Sequence, residues 1–301
     1  MNLLVRKGIK RLAYSGCLNW LPDKIYLKIL FRAHLNKKLD LKNPKTFNEK
    51  LQWLKLYDHN PIYTTMVDKY EVKRYVAKLL GEEYVIPTLG VWNHFDEIDF
   101  DILPDQFVLK CTHDSGGLVI CKDKSKFDKA SAKKKIEKSL KTNYYWSGRE
   151  WPYKNVKPRI IAEKYMEDSD SQELTDYKIF TFDSIVKALF IVSGRQEGET
   201  KADYFDAEFN HLDFTWGYPN ADICPTKPKT FDFMVNAAEK LAKDTSELRV
   251  DFYEVNGKAY FGELTFFDGS GFDEFNPGVW DEKFGTWIKL PKIYEGGRID
   301  C

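Results

Sequence analysis

The chain has 301 residues, 43% of them hydrophobic and 31% charged, with 46 Lys/Arg balanced by 46 Asp/Glu. That length and composition support one large domain or two lobes around a cleft, and exclude a disordered tail or a collagen-like chain. No apolar run approaches the roughly 18 residues of a spanning helix, and five cysteines without a CxxC pair speak against a zinc site or a disulfide framework.

The opening MNLLVRKGIKRL carries charges through what would be the apolar region of a signal peptide, so a cytoplasmic protein is expected. The charge balance is uneven. Residues 1–45 hold eleven Lys/Arg against Asp23 and Asp40, a net +9, leaving −9 on the remainder. On a helical wheel of residues 3–13, Val5, Ile9, Leu12 and Ala13 share one arc and Arg6, Lys7, Lys10 and Arg11 another. This fits either an interfacial helix on anionic lipid or a helix docked on the body by its apolar arc. A similar pattern predicts helices over Ile25–Leu35 and Phe47–Tyr57. Thr46 with Glu49 three residues on has capping-box spacing. Residues 1–60 therefore read as a basic helical N-terminal region.

Beyond Val85, β-rich runs are predicted at Phe107–Cys111, Leu118–Lys122, Arg159–Tyr165, Tyr177–Phe182, Val186–Ser193, Arg249–Val255 and Ala259–Phe267. Helices are predicted at Ser131–Lys141, where the lysines suit a solvated face, and at Phe231–Leu241. Hairpin-length gaps imply antiparallel pairing, so the fold class is α+β.

Phe107–Cys121 reads strand, loop, strand. Backbone N–H groups at Ser115, Gly116 and Gly117 could converge on an anion, with Lys110 adding a point charge. The stretch is neither a Walker A nor a GxGxxG motif, and an ordinary hairpin turn remains open. Pro158–Met166 is followed by a strand with Asp176 and Lys178 on one face, a carboxylate for ribose hydroxyls beside an ammonium for phosphate. Arg249–Phe267 is a hairpin around Asn256-Gly257. A two-residue loop would throw Asp251 and Glu263 to opposite faces. A three-residue loop at 255–257 would pair 249 with 263 and 251 with 261, gathering Arg249, Asp251, Glu263 and Thr265. That register is the expectation here. It creates a hard-oxygen site suited to Mg²⁺ with bound phosphates, the alternative being a charged surface hairpin.

Taken in order, the Lys–Gly-rich loop, Glu163-Lys-Tyr-Met166, Asp176-x-Lys178, Arg249-x-Asp251 and Glu263-x-Thr265 resemble the ATP-grasp superfamily. More narrowly, FNEKLQWLK, REWPYKNVKPRIIAEKYMED, DYKIFTFD and VDFYEVNGKAYFGELTFFDGSG look like the TupA-like (teichuronopeptide biosynthesis) branch, over about residues 47–272. The resemblance implies an ATP-grasp core over 61–301, with a phosphate-loop lobe at 106–165 and a metal-binding lobe at 166–301. ATP would lie between two antiparallel-rich sheets. It assigns Lys69, Lys110 and Lys178 to phosphates under the Ser115–Gly117 loop, and Glu163, Lys164 and Met166 to the adenine hinge. Asp176 would sit near the ribose, and Asp251, Glu263 and Thr265 would hold magnesium. Arg249 would neutralise the acyl-phosphate and tetrahedral intermediate. Thr265 departs from the asparagine common at its position, offering an oxygen but no amide.

The function implied is an ATP-dependent carboxylate–amine ligase of surface-polysaccharide biosynthesis. Its substrates would be a glycan or uronic acid and an amino acid or amine, with no nucleic acid. An anionic membrane surface could meet residues 1–45, giving a peripheral location at the inner face of the cytoplasmic membrane. A glycan kinase and a non-catalytic glycan- or membrane-binding scaffold stay as alternatives. The aromatic stretch Tyr144–Tyr153 could stack on sugars or pack as a lid. The Asp168-Ser169-Asp170 run has DxD spacing but no sugar-nucleotide fold around it.

Overall fold

In the computed structural model, which describes residues 1–169, 174–194 and 198–292, the chain opens with α1 (Leu3–Tyr14), α2 (Asp23–Leu35) and α3 (Phe47–Tyr57). The capping box forms. The Thr46 hydroxyl accepts the Glu49 N–H at 3.2 Å, and the Glu49 carboxylate accepts the Thr46 N–H at 3.3 Å. Two helices without a predicted counterpart follow, α4 (Ile62–Val67) and α5 (Glu71–Leu80). Asp68 accepts the N–H groups of Tyr70 and Glu71 and so starts α5, which buries only Val72 and Val76. Tyr75, Leu79 and Leu80 pack on the core beside them at helical spacing, so α5 is legible in the sequence although it was not predicted.

Next come β1 (Thr88–Trp92), β2 (Phe107–Cys111), β3 (Leu118–Cys121), α6 (Lys129–Leu140), α7 (Tyr145–Gly148) and β4 (Ile160–Lys164). The strands form an antiparallel sheet in the order β1-β4-β2-β3. Ala132 and Ile136 of α6 join the inward residues Phe107, Leu109, Cys111, Ile160 and Ala162 in its core. The opposite face, with Val108, Lys110 and Glu163, is left for a ligand by strict alternation.

The second sheet holds β5 (Asp176–Phe182), β6 (Ile185–Ser193), β7 (Lys201–Asp206) and β8 (His211–Leu212). It is followed by the short β9 (Thr215–Trp216), then α8 (Phe231–Leu241), β10 (Glu247–Val255) and β11 (Lys258–Thr265). Its order is β11-β10-β5-β6-β7-β8, antiparallel throughout. Strand β12 (Phe275–Asn276) pairs with β9, and α9 (Val279–Trp287) follows. Phe47 of α3 sits at the centre of this sheet's core, edge-on to Phe180, Phe182, Trp216, Phe275 and Phe284 at 5.3–6.4 Å between ring centres. Among the described residues no helix is long and apolar enough to cross a membrane.

The predicted hairpin register is overturned. Val255 pairs with Lys258, so the loop is the two residues Asn256 and Gly257, both left-handed at φ 51° and 73°. That primed turn matches the twist of the strands it joins. The expected separation of Asp251 from Glu263 is prevented by a β-bulge. Phe252 pairs with Phe261 but Asp251 with Glu263, so Gly262 is the extra residue. A Cβ at 262 would stand 3.1 Å from the Asp251 carbonyl oxygen and the Tyr253 ring, which explains the glycine. The four residues converge after all, through a bulge rather than through a longer loop.

Candidate active site

Direct pairing across β11, β10 and β5 aligns Glu263, Asp251 and Lys178 in one row, flanked by Thr265 with Arg249 and by Tyr253 with Asp176. Because all these residues share one pleat face, the sheet itself creates the cluster. Arg249 is its hub. Its Nε and Nη2 donate to the two Asp251 oxygens at 2.7 and 2.8 Å. Nη2 also reaches Glu263 and the Thr265 hydroxyl at 3.0 Å each, and Nη1 donates to Asp268. Lys178 donates to Asp251 and lies 2.7 Å from Asp176. Burial works against the guanidinium charge, but Asp251, Glu263 and Asp176 outweigh it and raise the pKa. Partial burial also opposes ionisation of Glu263, yet Lys69, Lys178, Arg249 and Lys110 hold its carboxyl down at about 2.

On the facing sheet, the Glu163 carboxylate bridges Lys110 at 2.6 Å and Lys73 at 2.5 Å. Lys73 comes from α5 and was missed in the sequence, where nothing links a helical lysine to a strand ninety residues on. Lys69 donates its ammonium to the Asp114 carbonyl. Asp114 in turn accepts the Gly117 N–H at 3.0 Å and the Ser139 hydroxyl, so its carboxylate shapes the glycine loop. A Cβ at Gly117 would lie within 2.6 Å of Cys111 and Ser139, while Ser115 and Gly116 stay exposed. Tyr144 packs edge-on to Tyr153 at 4.8 Å, so this part of the aromatic stretch packs on itself.

Ile86, Val108, Leu118, Ile120, Met166 and Val192 wall a cleft of about 480 Å³ between the two sheets. Lys110, Glu163, Lys164 and Tyr253 line it too, so the hinge residues border an apolar slot with cations at its inner end. Its size and lining suit a flat heterocycle with an anionic tail. The predicted residues thus fall into two facing groups. His113 hydrogen-bonds the Ser139 and Thr142 carbonyls and His59 the Lys55 carbonyl, so both serve packing. Of the DxD run, Asp170 lies outside the described residues.

Sequence reading also missed a polar stripe on α3. Asn48, Gln52 and Lys55 are buried along one face. Asn48 donates to the Asp273 carbonyl at 3.0 Å, and Gln52 to the Ser270 and Gly271 carbonyls at 3.1 and 2.9 Å. Lys55 reaches the Ser270 carbonyl and hydroxyl at 2.7 and 2.9 Å and the Gly148 carbonyl at 2.9 Å. Burial draws its pKa down to about 7, against the pull of Glu150. The stripe holds a turn in which Gly269, Ser270 and Gly271 are all left-handed, and that turn carries Asp268 to Arg249.

Asp251, Glu263 and Thr265 offer oxygen donors of the kind magnesium takes, with Arg249 and Lys178 occupying both Asp251 oxygens in this structure. Asp251 and Glu263 face each other on adjacent strands with Thr265 beside them, and Glu263 is ionised at any ordinary pH. Among the described residues no group of three or more His, Cys, Asp or Glu is arranged for a metal. Two carboxylates with substrate phosphates completing the shell is how Mg²⁺ is commonly held.

Glu163 yields a pH prediction. Burial would raise its pKa, but Lys110 and Lys73 pull it from 4.5 down to about 2. The unfolded carboxyl takes up its proton first as pH falls, so the stabilisation is present above about 4.5 and lost toward about 2. It amounts to about 3 kcal/mol. Urea midpoints should drop through this window in the wild type and drop less in Glu163→Gln. Equal acid sensitivity in both proteins would refute the pairing.

The TupA-like ATP-grasp family model matches residues 49–289. No curated protein matches the chain. Among solved structures, it is similar to D-alanine–D-alanine ligase from Bacillus anthracis at 15% identity and TM-score 0.39, covering 74% of this chain and 59% of that one. It is similar to the Helicobacter pylori D-alanine–D-alanine ligase at 16% identity and TM-score 0.42, covering 80% and 69%. It is also similar to the ATP-grasp ligase PsnB, solved with a precursor variant, Mg and ADP, at 11% identity and TM-score 0.43, covering 92% and 74%. The chain thus spans less than two thirds of the length of the first of these.

Proposed function

We propose, from a chain that belongs to the TupA-like ATP-grasp family, that this protein is an ATP-dependent carboxylate–amine ligase acting in surface-polysaccharide biosynthesis. ATP-grasp enzymes use ATP and Mg²⁺. The observation that carries the reading is the Glu263–Asp251–Lys178 row with Arg249 at its side, facing the Lys110–Glu163–Lys73 bridge across the cleft.

Adenine would occupy the apolar slot, leaving the phosphates among Lys69, Lys73, Lys110 and Lys178. A substrate carboxylate attacks the γ-phosphorus, and ADP leaves with the bridging oxygen. An amine then adds to the acyl carbon, inorganic phosphate departs, and the amine loses a proton to give the amide. Arg249 and the lysines bring these anions together and neutralise charge that develops on them, with no protein nucleophile. Magnesium held by Asp251, Glu263 and Thr265 would offset phosphate charge. The family's polysaccharide setting supports a uronic-acid carboxylate and an amino-acid or amine partner.

The test supplies ATP and Mg²⁺ with paired uronic acids and amino acids. ADP, free phosphate and an amide that forms only with both partners are expected. A phosphorylated acceptor without amide would replace the reading with a kinase. Glu263→Gln is the cleaner site variant, because Asp251 is buried between two cations whereas the Glu263 side chain is 39% accessible. It should lose roughly 10²–10³ in turnover while remaining folded. Unchanged turnover would remove Glu263 from the chemistry.

A further inference from the structure

Helix α1 divides its apolar residues in a way the wheel did not anticipate. Arg6 turns inward, donating Nε to the Ala33 carbonyl at 2.9 Å and Nη2 to that of His34, and Ala13 is buried. Tyr14 and His34 share a hydrogen bond of 2.8 Å at the same junction. Val5 and Leu12, expected on the same arc as Ala13, instead point out. Leu4 is 75% exposed, Val5 51% and Leu12 49%, and Trp20 beyond the helix is 78% exposed. At about 100° per residue, Leu4, Val5, Gly8 and Leu12 make one continuous outer strip. Lys7 and Arg11 run along one side of it, exposed, and α1 contains no acidic residue. Beside it, Ile9, Ile29 and Leu39 with Lys28, Arg32 and Lys38 line a cavity of about 520 Å³.

We propose that the outer face of α1, with Trp20, docks on an anionic lipid bilayer. The occupant follows from complementarity. Aliphatic side chains this exposed gain by leaving water. Cations along one side of the strip, in a segment of net +9, select a negatively charged surface. Trp20 has the amphipathic ring that favours the headgroup layer. The helix lies flat, because its twelve residues are too few to span and its inner side is already held by α2. The inference is independent of the ligase reading, since no residue of the cleft takes part.

Sedimentation with phosphatidylcholine vesicles, with and without phosphatidylglycerol, tests it. The wild type should pellet with the anionic vesicles alone and be released as salt rises. Leu4→Ser with Leu12→Ser, and separately Lys7→Gln with Arg11→Gln, should each weaken partitioning at least tenfold. All four side chains are exposed, so melting temperature and ATP binding should stay at wild-type values. Equal supernatant recovery with both vesicle types at low salt would overturn the proposal, as would leucine variants that bind like the wild type. Loss of a dimer in the leucine variants without any vesicle binding would assign the face to a second copy of the chain instead.

Discussion

Arg249→Met is expected to abolish ligase turnover and to lower stability by roughly 3–5 kcal/mol, the usual cost of stripping one partner from a buried ion-pair cluster. The guanidinium holds Asp251 through two bonds, and Glu263, Thr265 and Asp268 through one each. Without it, Lys178 must balance both Asp251 and Asp176, and three carboxylates gather around an apolar thioether. Arg249→Lys separates the two effects. An ammonium restores the charge but not the planar fork, so most stability should return while turnover remains at least about 10²-fold reduced. Chemical denaturation and phosphate release measure the two quantities. Near-wild-type stability of Arg249→Met would show that the cluster does not depend on its hub.

Lys55→Met should cost about 3 kcal/mol or more, although Lys55 belongs to neither sheet. The substitution leaves the Gly148 carbonyl and the Ser270 hydroxyl without this donor and the Ser270 carbonyl with Gln52 alone. Buried Glu150 also loses the cation that lowers its pKa most. The effect should reach the active site through the 268–271 turn, since Lys55 and Gln52 fix the carbonyls that set the direction of Asp268. Turnover is therefore expected to fall more than nucleotide affinity does, because the adenine slot lies on other elements. Calorimetric ATP binding beside turnover distinguishes this. A proportional loss of both would point to general unfolding.

Legibility in the sequence followed the range of the interactions involved. Period-two alternation is enough to place Phe107–Cys111, and it sets Asp176 with Lys178, and Arg249 with Asp251, on common faces. The capping box at Thr46 and Glu49 is visible because its two bonds span three residues. Strands β1 and β7 escape, one because Gly90 breaks its pattern and the other because Lys201, Asp203 and Asp206 make it read as polar although its middle is buried.

The chain by itself determined which residue types recur at strand spacing, where the Asn256-Gly257 turn falls, and hence that an arginine, two carboxylates and a lysine belong to neighbouring strands. Tertiary structure alone decided that Asp251 pairs directly with Glu263, because the register is set by a bulge at Gly262 that strand alternation does not announce. It alone brought Lys73 to Glu163 and laid Asn48, Gln52 and Lys55 on the 268–273 turn. Those contacts join residues 90 to more than 200 positions apart, and their free energy exists only once the intervening chain has been ordered. No local pattern records them.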